Sequence, residues 1–93
     1  MILEIVSPEA KLFSGEVTSV TLPGVDGSFQ ILNNHAPIVS ILEKGTIKIA
    51  APSFNFSKEV ADKFTRVNDQ TYTLEITSGT IEMKDNKIIV LVD

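Results

Sequence analysis

The sequence predicts an all-β domain: an antiparallel β-sandwich, or flattened barrel, of about eight to ten short strands. Three observations predict it. Apolar and polar residues alternate with period two through several runs, the pattern of half-buried strands. Residues that favour turns separate these runs at short intervals. The chain has 93 residues, the size of one such domain, and residues 1–93 are therefore read as a single unit.

The elements follow in chain order. An opening strand runs from the N-terminus to the break at Ser7-Pro8. Gly15 closes a short run, and a strand from Glu16 to Leu22 follows it. Pro23-Gly24 and Asp26-Gly27 then break the chain twice in quick succession. Gly45 opens a strand in which Ile47 and Ile49 oppose Thr46, Lys48 and Ala50. Tyr72, Leu74 and Ile76 oppose Thr71, Thr73 and Glu75. Gly79 opens the next run, with Ile81 and Met83 against Thr80, Glu82 and Lys84. Asp85-Asn86 suits a two-residue hairpin, because both residues tolerate positive φ. Ile88 to Val92 is apolar on both faces and reads as a central strand covered on two sides.

One segment escapes the alternation. Between Pro52 and Asp69, Phe56, Val60, Phe64 and Val67 recur at helical spacing. The expectation is a short amphipathic helix near 57–66. Ser57 would cap it, and Lys58, Glu59, Asp62, Lys63 and Arg66 would face water. The alternative is a long hairpin whose Phe54 and Phe56 tuck under the sheet edge.

Composition excludes several function classes. The net charge is −4, from 8 Lys+Arg against 12 Asp+Glu, and phosphate binding needs clustered cations, so nucleic acid is disfavoured. With no cysteine there is no disulfide, thiolate metal site or cysteine nucleophile. The N-terminus "MILEIVSPEA" lacks the basic region and apolar core of a signal peptide. The longest apolar run, Ile88 to Val92, is far shorter than the ~20 residues of a spanning helix. A soluble domain is expected, with any membrane contact made through another protein.

Candidate chemistry is sparse. His35 is the only histidine. A catalytic histidine needs an orienting carboxylate and a group to activate. Asp26 is the nearest acid, across two tight turns, and Ser28 lacks the strand–turn–helix setting of an exposed serine nucleophile. A histidine bonded to loop backbone, or one bordering a partner, is the better account. The glycines of "PGVDG" have no following Gly-Lys-Ser/Thr and no helix, so they serve turns rather than phosphate. Glu75, Glu82 and Asp85 read as a solvated face. A transition metal has almost no ligands to draw on, and the Asp26, Asn33 and Asn34 spacing matches no calcium loop. The residues alone describe a small acidic β-domain without an active site, whose business is contact with other proteins.

A string of motifs adds to this. Ser7-Pro8, Phe13-Ser14-Gly15, Val17 to Gly24, Asp26-Gly27, His35-Ala36-Pro37 and Gly45 to Ile49 occur in fixed order and spacing. Together, from Leu3 to Ile49, they resemble the N-terminal β-sandwich of the epsilon subunit family of bacterial F-type ATP synthases. "TSGTIEMKDNKIIVLVD", at the C-terminal end, is similar to the last two strands of that domain. The resemblance covers the chain except Pro52 to Asp69, which is read as an insertion (52–69) relative to the family.

The resemblance implies a non-catalytic rotor subunit of the central stalk. The domain would clamp the foot of the gamma subunit and sit on the polar loops of the membrane c-ring, on the cytoplasmic face of a bacterial inner membrane. Proton-driven rotation of the ring would pass through it to ATP synthesis. Carried over residue by residue, Asp26, Gly27 and Ser28 would face the ring, and Asn33, Asn34 and His35 would lie at the edge near gamma and ring. Ser28 stands where an acid is common in the family, and Asn33 where a proline is common. The chain ends at Asp93, so the family's C-terminal helical hairpin, with its inhibitory role and occasional ATP binding, is not carried over. No cofactor or nucleotide is expected. The rival is a free-standing β-sandwich protein- or ligand-binding module. The lack of Trp and the inward placement of Tyr72, the only tyrosine, weigh against a sugar binder.

Overall fold

The computed structural model describes Met1–Asp93. Ten strands account for most of the chain: β1 (Ile2–Val6), β2 (Lys11–Glu16), β3 (Ser19–Gly24), β4 (Gly27–Leu32), β5 (Ile38–Leu42), β6 (Gly45–Ala50), β7 (Phe64–Asn68), β8 (Thr71–Ile76), β9 (Gly79–Lys84) and β10 (Lys87–Val92). The predicted all-β sandwich is the observed fold.

The strands form one curled sheet that folds into two layers. One layer runs β2-β1-β10-β9-β5, and the other runs β4-β3-β6-β8-β7. A single residue pair, Gly24 with Leu42, joins β3 to β5 at the fold between layers. A Cβ on Gly24 would lie 2.9 Å from the Gly27 carbonyl oxygen and from the Phe29 ring, so the corner requires the missing side chain.

Alternation decides what each layer buries. Leu3, Ile5, Ile81, Met83, Ile88 and Val90 point inward from the first layer. Val20, Leu22, Ile31, Ile47, Ile49 and Leu74 meet them from the second. All 22 buried residues are apolar, and no buried side-chain nitrogen or oxygen lacks a partner. The core therefore incurs no desolvation cost from unpaired polar side chains.

All neighbouring strands are antiparallel except β1 and β10, which pair in parallel from Ile2–Lys87 to Val6–Leu91. A parallel pair needs a long crossover, and here nearly the whole chain supplies it. β10 thus lies between β1 and β9, as a central strand should. It is covered on one face only: Ile88, Val90 and Val92 are buried, Ile89 is half-buried, and Leu91 is exposed. The expectation of two-sided cover fails because no layer stacks on the outer face of this sheet.

Two further expectations are corrected. Gly15 lies within β2, opposite Leu3, rather than before a strand beginning at Glu16. A Cβ there would be 3.4 Å from the ring of Phe13 on the same strand, an ordinary contact distance. No amphipathic helix forms near 57–66. The segment makes one 3-10 turn at Ala61–Lys63 and enters β7 at Phe64. Ser57 receives the Val60 and Ala61 amides on its carbonyl, and its side chain caps nothing.

Aromatic packing explains why the helix loses. Phe54 and Phe56 stack on each other at 5.6 Å, Phe56 stacks on Phe64 at 4.4 Å, and Tyr72 closes on Phe54 at 4.5 Å. Phe13 meets Phe54, Phe56 and Phe64 from β2 at about 6 Å. The apolar spacing is thus satisfied by a looped segment that joins β2 to β8. Val67, which the helix would have buried, is exposed. Arg66 instead clasps Asp69 beyond β7, and that hydrogen bond, with the adjacent negative charge, raises the pKa of the guanidinium above its ordinary value.

Gly79 offers a test of the packing. An added Cβ would sit 2.5 Å from the Leu91 carbonyl oxygen, a backbone atom held in the β9–β10 ladder. Gly79→Ala should destabilise the domain by about 1–3 kcal/mol. A fall in Tm of less than about 3 °C in calorimetry would show that the ladder yields there.

Candidate partner interface

The six residues expected at a partner surface lie in two clusters, one for each of the two expected groups. Asp26 and Gly27 belong to the β3–β4 turn, with Ser28 next to it on β4. Asn33, Asn34 and His35 belong to the β4–β5 loop. β4 separates the clusters by its full length, about 20 Å at the usual rise per residue. All six residues are exposed.

Local chemistry shapes each cluster. Gly24 pairs with Gly27, so Val25 and Asp26 form the tip of a tight hairpin. Both keep ordinary negative φ, and the left-handed requirement falls on Gly27, at φ 114°. None of the ion pairs of the domain involves Asp26, so its carboxylate faces solvent unneutralised.

In the second cluster the His35 amide donates to the Leu32 carbonyl at 3.1 Å, closing a turn around Asn33 and Asn34. Asn34 takes φ 63° to complete it. The His35 ring is exposed, and its Nδ1 lies 2.7 Å from the Ala36 carbonyl oxygen. A carbonyl only accepts, so Nδ1 carries the proton and Nε2 is left free. No carboxylate orients the ring, and no cluster of His, Cys, Asp and Glu suited to a metal is present. The loop can present a directional polar surface.

Between the two clusters lies a surface that the sequence reading missed. β5 connects the neighbourhood of one to that of the other, and its outward residues Val39 and Ile41 are 78% and 64% exposed. Across the layer Ile41 is in register with Thr80, Leu91 and Val6, and Val39 with Glu82 and Ile89. Leu91 is 52% exposed. Val6, Ile41, Thr80 and Leu91 of this row line an apolar groove of about 600 Å³, together with Pro8 and Val92. Thr80 and Glu82 interrupt these apolar side chains, and a mixed surface with exposed apolar residues beside polar loops suits a protein interface. The signal was present in "PIVSILE": Ile38, Val39, Ile41 and Leu42 place apolar side chains on both faces of one short strand.

A family model described as the ATP synthase delta/epsilon chain β-sandwich domain matches residues 1–93. The chain belongs to this family. An ATP synthase epsilon chain of Chlorobium limicola is 37% identical over 91 residues, covering 98% of this chain and 86% of the relative. One from Leptospira interrogans is 35% identical, with 98% of this chain matched to 59% of that longer protein. Two solved assemblies contain the same fold. A chain in the central stalk and c-ring of the Tetrahymena thermophila mitochondrial ATP synthase superposes with TM-score 0.70 at 20% identity, over 99% of this chain and 62% of that one. A chain of the Euglena gracilis mitochondrial enzyme gives 0.77 at 15% identity, over 99% and 49%.

Gly27 separates backbone conformation from crowding, because an added Cβ would meet nothing within 4 Å. Gly27→Ala should therefore cost only the left-handed penalty, about 1–2 kcal/mol, and Gly27→Asn less. Equal melting temperatures for the wild type and Gly27→Ala would show that the turn relaxes out of its positive φ.

Proposed function

We propose that this domain is a non-catalytic rotor element of the central stalk of an F-type ATP synthase, coupling proton-driven rotation of the c-ring to ATP synthesis. Family membership over the whole described chain carries the reading. In it, the apolar outer face of β1, β10, β9 and β5 seats on the gamma subunit. A permanent interface has a hydrophobic centre, and Val39, Ile41 and Leu91 are exposed apolar side chains on this face. Asn33, Asn34 and His35 form the polar rim at one end of that face. Asp26, Gly27 and Ser28, at the other end of β4, meet the polar loops of the ring. With Ser28 beside Asp26, the tip carries one free carboxylate.

Transmitting torque requires stiffness rather than chemistry. A close-packed aliphatic core between two sheets resists deformation, and this domain has such a core. Pro52 to Asp69 is read as an addition that serves the domain itself, through the Phe54, Phe56 and Phe64 cluster, rather than either neighbour. No helix is long and apolar enough to cross a membrane. The domain is placed on the cytoplasmic face of the bacterial inner membrane through its partners.

Two measurements test this. Ile41→Asp and Leu91→Asp put a charge into the apolar row, each expected to weaken binding to purified gamma about 30-fold or more. Because both positions are exposed, Tm should move only slightly. Unchanged gamma affinity would remove this face from the interface. The natural chain has no cysteine, so Ser28→Cys places a single thiol at the hairpin tip. It should crosslink to a ring loop in membranes, and crosslinking to gamma alone would reverse the assignment of the two ends.

A further inference from the structure

The β9–β10 turn holds a residue tied to two other parts of the chain. Asn86 takes φ 61° and follows Asp85 at φ 53°, the two-residue turn that matches strand twist. Its carbonyl accepts the Ile2 amide at 3.1 Å, at the start of β1. Its side chain spans to the β4–β5 loop. There Oδ1 accepts the Asn34 amide at 2.8 Å, and Nδ2 donates to Asn33 Oδ1 at 2.9 Å. The orientation of the amide is dictated, since only an oxygen can receive the Asn34 N–H.

The residue type is informative. Gly, Asp and Asn all accommodate the positive φ of that turn. Gly would leave the loop untouched. Asp could accept from Asn34 and could donate nothing to Asn33. Asn alone of the three supplies one acceptor and one donor, and both are used. The loop it holds needs an external hold, because Asn34 sits at φ 63° and the segment from Asn33 to Pro37 lies outside any strand. Every polar group in the clamp is exposed, so the hydrogen bonds do little for the core. What they decide is where Asn33, Asn34 and His35 point.

We propose that Asn86 is the positioning residue of the gamma-facing loop: it presets Asn33, Asn34 and His35 before the partner arrives, and so lowers the ordering cost of docking. This rests on the partner reading given above.

The test uses the full chain with Asn86→Gly, which keeps the turn and deletes the clamp, and with Asn86→Asp. Amide hydrogen exchange of free protein reports the clamp without any partner. Asn34 exchange should quicken about tenfold or more in Asn86→Gly while the β9–β10 core amides and Tm stay close to wild type. Affinity for purified gamma should fall about 5- to 30-fold, with Asn86→Asp between wild type and Asn86→Gly. Adding His35→Ala to Asn86→Gly should cost less than the sum of the two single losses, because an unpositioned side chain contributes less. Unchanged Asn34 exchange, or faster exchange with full gamma affinity, overturns the proposal. Wild-type chain that binds no gamma at all overturns the partner reading beneath it, and is told apart because the exchange contrast survives.

Discussion

The domain depends on the meeting of two inward-facing rows of aliphatic side chains, one from each layer of a sheet folded at the Gly24–Leu42 pair. Neither layer could stand alone, because each presents an apolar face that water would reject. Burial of both faces at once sets the register of every strand, since a slip of one residue would turn the inward row outward. It also fixes where glycine is required. At Gly24 and Gly79 backbone passes too close for any Cβ, at the fold between layers and against β10.

The outer faces of the two layers differ, and function follows from that difference. On β3, β6, β8 and β7 the row Thr21, Lys48, Thr73 and Thr65 is polar and suited to water. On β5, β9, β10 and β1 the equivalent row is Ile41, Thr80, Leu91 and Val6. Both sheets obey the same inward rule, so the contrast lies wholly outside the requirements of folding. The chain belongs to the ATP synthase delta/epsilon β-sandwich family, and the proposed seating on a neighbour uses the more apolar of the two faces.

The ends of the sandwich are organised separately from its faces. At one end Asn86 ties the start of β1, the β9–β10 turn and the β4–β5 loop together. At the other, Ser78 donates to the Asp93 carboxylate, and the Glu43 amide reaches the Pro23 carbonyl at 2.8 Å. Polar bonds at the ends orient loops that the core does not touch, so loop geometry can be tuned without disturbing the packing that holds the domain.

Alternation in the runs of β6, β8 and β9, the Asp85-Asn86 hairpin and the central position of β10 were legible from the sequence, because each rests on backbone preferences acting within a few residues. The motif string from Ser7-Pro8 to Ile49 pointed to the family by its resemblance in order and spacing, and the family model matches residues 1–93. The segment from Phe56 to Val67 misled, because apolar spacing alone does not fix the backbone: Phe56 and Phe64 pack into an aromatic cluster spread over β2, β7 and β8, and Val67 is left exposed. The parallel β1–β10 pair, the separation of Asp26 from His35 along β4, and the contact of Asn86 with Asn33 and Asn34 had no local signal. The first and last join residues far apart in the chain that only closure of the whole sandwich brings together, and the second follows from β4 being extended over its full length.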